Sequence, residues 1–167
     1  AFAQHETPPG RMKLIDGIKN TTIIDDTYNS SPIALGLALE TLGFVQGKRK
    51  IAVLGDMLEL GKYSTQEHKK AGARVAEHAD LLVAVGVRAR FIAEGALEAG
   101  MKEKKIFRFE DSVKAGEYVA KILKKGDMVL VKGSQSMRME RAVKLLLAEP
   151  QKAHDLLVRQ EEMWASK

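Results

Sequence analysis

Two short stretches of this 167-residue chain hold the residue types from which a ligand site is built. The first is IIDDTYNSSP, residues 23–32, where an apolar pair runs into two acids and then a polar turn. Asp26 could accept two hydrogen bonds from a ribose diol, the task of an acid beside nucleotides in open parallel sheets. It could equally cap the following loop through backbone N–H groups. Asp25, one residue back, points to the opposite face of a strand and reads as structural. Tyr28 is either a core aromatic with a satisfied hydroxyl or a flat surface against a base. Asn29 either tolerates a left-handed turn or reaches a phosphate or carbonyl. The second stretch is LVKGSQSMRME, residues 130–140. It reads as a strand delivering Lys132, a turn at Gly133-Ser134, and a helix from about residue 136. Free N–H groups at that helix start would attract a carboxylate or phosphate, with Lys132 and Ser134 adding donors. The alternative is a plain strand-to-helix turn, with Gly133 there for backbone reasons.

Several chemistries lack their residues. There is no G-x-x-x-x-G-K-[ST] phosphate loop and no G-x-G-x-x-G after the first strand. His5, His68, His78 and His154 show no metal-ligand spacing, so no metal site is assigned. Cysteine is absent, which removes disulfides, thiolate zinc sites and cysteine nucleophiles and fits a reducing compartment. No apolar run approaches the roughly 20 residues of a membrane span. The net charge of +5 favours anionic ligands. The basic residues are scattered, however, and only 5% of residues are aromatic, which argues against a nucleic-acid partner. The start at Ala1 reads as a processed product or a piece of a longer protein.

The elements that must position these residues follow a regular alternation. TTIID, KIAVLGD, LLVAVG, KIFRF and DMVLVKG are short, β-branched runs bounded by Gly, Asp or Lys. Such runs mark strands buried on both faces. Between them lie amphipathic segments at 32–45, 64–79, 88–99, 111–124 and 136–147. Ser31 and Pro32 predict the N-cap and first position of one helix. Ser64 with Glu67 has capping-box spacing for the next. The stretch 11–20, with DG and KN turn signals, predicts an antiparallel arm. Residues 151–167 read as one more surface helix, and residues 1–10 as a linker because of ETPPG. The fold class is therefore α/β: a Rossmann-like, mostly parallel sheet of about six strands with helices on both faces. Residues 11–167 form the domain. The polar residues fall at the carboxyl ends of the strands, where such sheets bind ligands: Asp26 on the first core strand, Asp56 after the second, Lys132 on the last.

Taken together, GRM at 10–12, IIDDTYNSSP, AVLGDMLELG at 52–61, His68, VAVG at 83–86 and LVKGSQSMRME resemble the C-terminal domain of the Mur ligase family. Within it they are most similar to members that join D-Ala-D-Ala to UDP-N-acetylmuramoyl-tripeptide. The resemblance covers about Gly10 to Leu147. It implies a three-domain, bacterial, cytoplasmic enzyme of peptidoglycan synthesis that works through an acyl phosphate. ATP and Mg2+ would be held mainly by a central domain, and a further N-terminal domain would bind the UDP-sugar. This domain would close over the nucleotide and bring in the amine, and it would be inactive alone. Arg11, Asp26, Tyr28 and Asn29 match family positions at the nucleotide. Lys132, Gly133, Ser134 and Asp56 match positions towards the incoming dipeptide. Two residues depart from the family pattern: Ser31 stands for an Asn and Gln135 for an Arg. Another Mur-type or folylpolyglutamate-synthase-like ligase, or a non-catalytic nucleotide-binding module, are the other readings. No heptad seam is evident, so a monomer is expected.

Overall fold

The computed structural model describes residues 7–167, so most of the expected linker lies outside the described residues. The alternation forms as expected. Strands β1 (Lys13–Gly17), β2 (Thr21–Asp26), β3 (Lys50–Gly55), β4 (Leu81–Val85), β5 (Ile106–Phe109) and β6 (Met128–Lys132) make one sheet in the order β1-β2-β6-β3-β4-β5. All neighbours are parallel except β1, which returns antiparallel on β2 through a tight turn. The predicted arm is thus the sheet edge.

Side-chain alternation divides the core in two. Ile23, Ile51, Val53, Val83, Val129 and Val131 face α4 (Ser112–Ile122) and α5 (Glu140–Leu146). Ile24, Ala52, Leu54, Leu82, Ala84 and Leu130 face α1 (Pro32–Phe44), α2 (Ser64–His78) and α3 (Arg90–Glu98). Both strand faces are covered, which is why the strand sequences read as continuous apolar runs. α2 and α3 cross at close range because both carry glycine at the crossing. A Cβ on Gly72 would lie 2.0 Å from the Ile92 carbonyl oxygen, and one on Gly95 would lie 2.1 Å from that of Lys69.

The start of α1 is as predicted: Ser31 Oγ accepts from the Ala34 N–H at 3.2 Å, and Pro32 follows as the first helical residue. Three expectations are corrected. Ser64 does not cap α2. It has helical backbone angles, because a 3-10 turn at Gly61–Tyr63 leads straight into the helix. The helix expected from about residue 136 begins only at Glu140. A 3-10 turn at Gln135–Met137 intervenes, and Arg138 sits in the left-handed region at φ 52°. Residues 151–167 do not form one helix. A four-residue helix, α6 (Ala153–Leu156), ends where Leu157 turns extended, and Arg159 at φ 57° then redirects the chain.

Candidate functional site

The carboxyl ends of β2 and β6 lie side by side, and Asp26 and Lys132 are partners in the parallel register. Their side chains meet on the α1 side of the sheet. Lys132 Nζ is 2.7 Å from Asp26 Oδ2 and donates to the Asn29 carbonyl at 2.8 Å. The Lys132 side chain is 2% exposed and that of Asp26 13%, so the ammonium is enclosed while the carboxylate keeps an outlet. Asp26 Oδ1 accepts from the Met12 N–H at 3.1 Å. Each carboxylate oxygen thus has one partner and one further lone pair for an incoming donor.

That outlet opens into a cleft of about 400 Å³ lined by Arg11, Asp26, Tyr28, Asn29 and Lys132, with Leu37 and Ala38 of α1 on its apolar wall. Tyr28 is 45% exposed, and the Arg11 guanidinium lies 4.2 Å from its ring centroid. The contact is cation–π and keeps Arg11 at the cleft mouth. The cleft offers an acceptor pair for a diol, an aromatic face and a cation for an anionic group. This donor and acceptor set fits the ribose and part of the phosphate chain of a nucleotide. No glycine-rich phosphate cradle accompanies it. Among the described residues, no group of three or more His, Cys, Asp or Glu side chains could hold a metal ion.

Asp25 turns to the other face, as the alternation requires. It is fully buried, and its Oδ1 accepts from the Thr27 N–H and hydroxyl while Oδ2 accepts from the Gly10 N–H. Burial pushes its carboxyl up to about 6; the hydrogen bonds from Thr27 and Gly10 pull the other way. Gly10, at φ 73°, also accepts from the Tyr28 N–H at 2.9 Å. Asp25 therefore pins the entering chain against the loop that carries Tyr28.

A second cleft, about 600 Å³, lies across the lip formed by Asn29–Ser31. Its walls include Ser31, Glu59, Ser134, Gln135 and Trp164. Ser134 joins two loops: its N–H donates to the Asp56 carbonyl at 3.0 Å and its Oγ accepts from the Leu58 N–H at 2.8 Å. Gly133 lies beneath, where a Cβ would meet Met139 Cγ at 2.7 Å.

Six of the eight residues singled out in the sequence line the two clefts. Arg11, Asp26, Tyr28, Asn29 and Lys132 share the first cleft, and Ser134 lines the second with Asn29 on the ridge between. Lys132, matched above to the dipeptide side, lines the same cleft as Arg11, Asp26, Tyr28 and Asn29. The Asp56 side chain lines neither cleft. Its Oδ1 accepts from the Ala89 N–H at 2.7 Å, and Arg88 approaches Oδ2 at 3.7 Å, so it braces the entry to α3. Because α5 starts late, the turn after Ser134 presents no regular helix N-terminus, and Glu140 occupies the first turn of α5. His68 is fully buried: Nδ1–H donates to the Ser64 carbonyl at 2.7 Å and Nε2 accepts from the Met57 N–H at 3.0 Å. It shapes the β3–α2 loop and reaches neither cleft. Trp164 and Arg159 were not singled out from the sequence. Two of the partners of Arg159, Thr27 and Tyr28, lie more than a hundred residues away, and no local pattern marks either residue.

Comparison with known proteins gives a consistent set. The family model for the Mur ligase, glutamate ligase domain, matches residues 10–135. A UDP-N-acetylmuramoyl-tripeptide–D-alanyl-D-alanine ligase of Bacillus subtilis is 34% identical over 142 residues, covering 84% of this chain and 31% of that protein. The crystal structure of a MurF ligase from Thermotoga maritima in complex with ADP superposes with a TM-score of 0.71 at 31% identity, covering 92% of this chain and 33% of that one. A MurF from Acinetobacter baumannii gives a TM-score of 0.72 at 32% identity, over 84% of this chain and 31% of that one. The chain thus spans about a third of the length of the relatives it matches.

Proposed function

This chain belongs to the Mur ligase family, as its glutamate ligase domain, and from that premise we propose that it serves an ATP-dependent ligase joining D-Ala-D-Ala to UDP-N-acetylmuramoyl-tripeptide. The observation that carries the reading is the Asp26 carboxylate. It is braced by Lys132 Nζ and the Met12 N–H yet open to a cleft with an aromatic face and a cation. In this account the first cleft takes the ribose and adenine side of ATP, with Arg11 swinging from Tyr28 towards the phosphates. The ADP-bound relative supports a nucleotide in proteins of this kind.

The second cleft takes the incoming amine, with Ser134 and the neighbouring turn on its wall. The contribution of this domain is positioning: it holds nucleotide and amine in one geometry while other parts of a longer protein supply the phosphate cradle, Mg2+ and the tripeptide carboxylate. In this chemistry the carboxylate takes the γ-phosphoryl group of ATP and ADP leaves; the free amine of the dipeptide then attacks the acyl carbon, losing a proton and expelling inorganic phosphate. The partners are then the sugar-nucleotide tripeptide, the dipeptide and the protein's own preceding domains. The setting is the bacterial cytoplasm and the working form a monomer. No helix among the described residues is long and apolar enough to cross a membrane.

The test is product analysis by mass spectrometry on the full-length protein, with ATP, Mg2+, UDP-muramoyl-tripeptide and a panel of amines: D-Ala-D-Ala, diaminopimelate, lysine and glutamate. The dipeptide adduct alone is expected. An adduct with one of the other amines would reassign the domain to a sister ligase, and no adduct would favour a nucleotide-binding module.

A further inference from the structure

Arg159 lies beyond the residues matched by the family model, on a segment that follows α6. It is 7% exposed and reaches back across the molecule. Its Nη1 donates to the Thr27 carbonyl at 3.2 Å and to Glu140 Oε2 at 3.1 Å. Its Nη2 donates to the Tyr28 carbonyl at 2.6 Å. Glu140 is fully buried, and its other oxygen accepts from Arg138 Nε at 2.5 Å. Arg138 in turn donates to the Trp164 carbonyl at 3.0 Å.

The two gripped carbonyls belong to the successive peptide units on either side of the Tyr28 Cα. With both planes held, the direction of the Tyr28 side chain is set, and with it the seat of Arg11. A planar guanidinium can span two neighbouring carbonyls and a carboxylate at once; an ammonium presents no such fork. The backbone of Arg159 is itself in the left-handed region at φ 57°, which a side-chain-bearing residue rarely chooses without tertiary partners.

We propose that Arg159 is a positioning residue for the lip of the first cleft: oriented by Glu140, it fixes the peptide planes that aim Tyr28 and shape the mouth around Asp26. The link to catalysis rests on the reading of that cleft as the nucleotide site. The experiment compares Arg159→Met, Arg159→Lys and Glu140→Gln in the full-length protein by hydrogen exchange and by steady-state kinetics. Amides of the peptide spanning 26–31 should exchange at least tenfold faster in Arg159→Met, while those of β3 stay protected. KM for ATP should rise at least tenfold with kcat within threefold and KM for the dipeptide unchanged. Arg159→Lys and Glu140→Gln should fall between wild type and Arg159→Met. Unchanged lip exchange in an Arg159→Met protein with an intact core overturns the proposal. Should that variant not fold, unchanged lip exchange in both milder variants does so. Faster lip exchange with an unaltered KM for ATP would uphold the positioning role and reject the nucleotide reading of the cleft.

Discussion

Lys132 and Asp26 are register partners on adjacent parallel strands, and their side chains close to 2.7 Å at the sheet's carboxyl edge. The geometry makes Lys132 a support for Asp26 rather than a free hand for a ligand, since its ammonium is enclosed and already holds two oxygens. Replacing it by Met removes the counter-charge and leaves the Asn29 carbonyl without its donor. Breaking a buried ion pair from one side costs about 3–5 kcal/mol. Because Asp26 keeps access to water, about 3 kcal/mol is expected for Lys132→Met, read by denaturant unfolding. KM for ATP in the full-length protein should rise more than KM for the dipeptide. The reverse order would return Lys132 to the amine side.

Two helix glycines, Gly72 at the α2–α3 crossing and Gly36 on α1, should respond oppositely to alanine. A methyl group at Gly72 meets backbone at 2.0 Å, so Gly72→Ala must push the helices apart, at a cost of about 3 kcal/mol. A Cβ at Gly36 on α1 meets only Arg74 at 3.7 Å. Gly36→Ala should stabilise by about 0.5–1 kcal/mol through helix propensity. Thermal melts of the two variants beside wild type check the pair.

Asp25 gives a pH dependence with a definite sign. Its carboxyl is raised from 3.8 to about 6 in the folded chain, so the folded state retains a proton that the unfolded state has lost. Its stabilising contribution is full below about pH 4, falls as pH rises through about 6, and is constant above. The span corresponds to about 3 kcal/mol at most. The stability difference between wild type and Asp25→Asn should therefore shrink between pH 4.5 and 6.5 and level off above 7. A difference that grows over that window would show that the hydrogen bonds from Thr27 and Gly10 outweigh burial.

His68 should show one tautomer. A carbonyl faces Nδ1 and an N–H faces Nε2, so the ring proton belongs on Nδ1. Long-range proton–nitrogen NMR spectra should show a protonated Nδ1 and an unprotonated Nε2. The opposite assignment would mean that the β3–α2 loop is held differently.

Much of the fold was legible because its signals are local. β-branched runs bounded by Gly and Asp gave the strands, and Ser31-Pro32 gave the start of α1. The placement of Asp26, Tyr28 and Asn29 at the carboxyl edge followed from the strand-helix alternation. What stayed hidden depends on distant partners. Ser64 reads as a cap, yet the preceding turn made it helical. The helix after Lys132 looked continuous, but Arg138 turns left-handed where its guanidinium is drawn to Glu140 and the Trp164 carbonyl. The reading of residues 151–167 as a surface helix gave no hint that Arg159 would reach Thr27 and Tyr28, 132 and 131 residues away. Lys132 could be placed at the carboxyl edge, but its pairing with Asp26 could not be read, because side-chain partnership across a sheet depends on register.

The most direct measurement of the central claim is phosphate release by the full-length protein with ATP, Mg2+ and UDP-muramoyl-tripeptide, with and without D-Ala-D-Ala. Release should depend on the dipeptide, and KM for ATP should rise at least tenfold in Asp26→Asn. Release that ignores the dipeptide, or an Asp26→Asn protein with an unchanged KM for ATP, would contradict it.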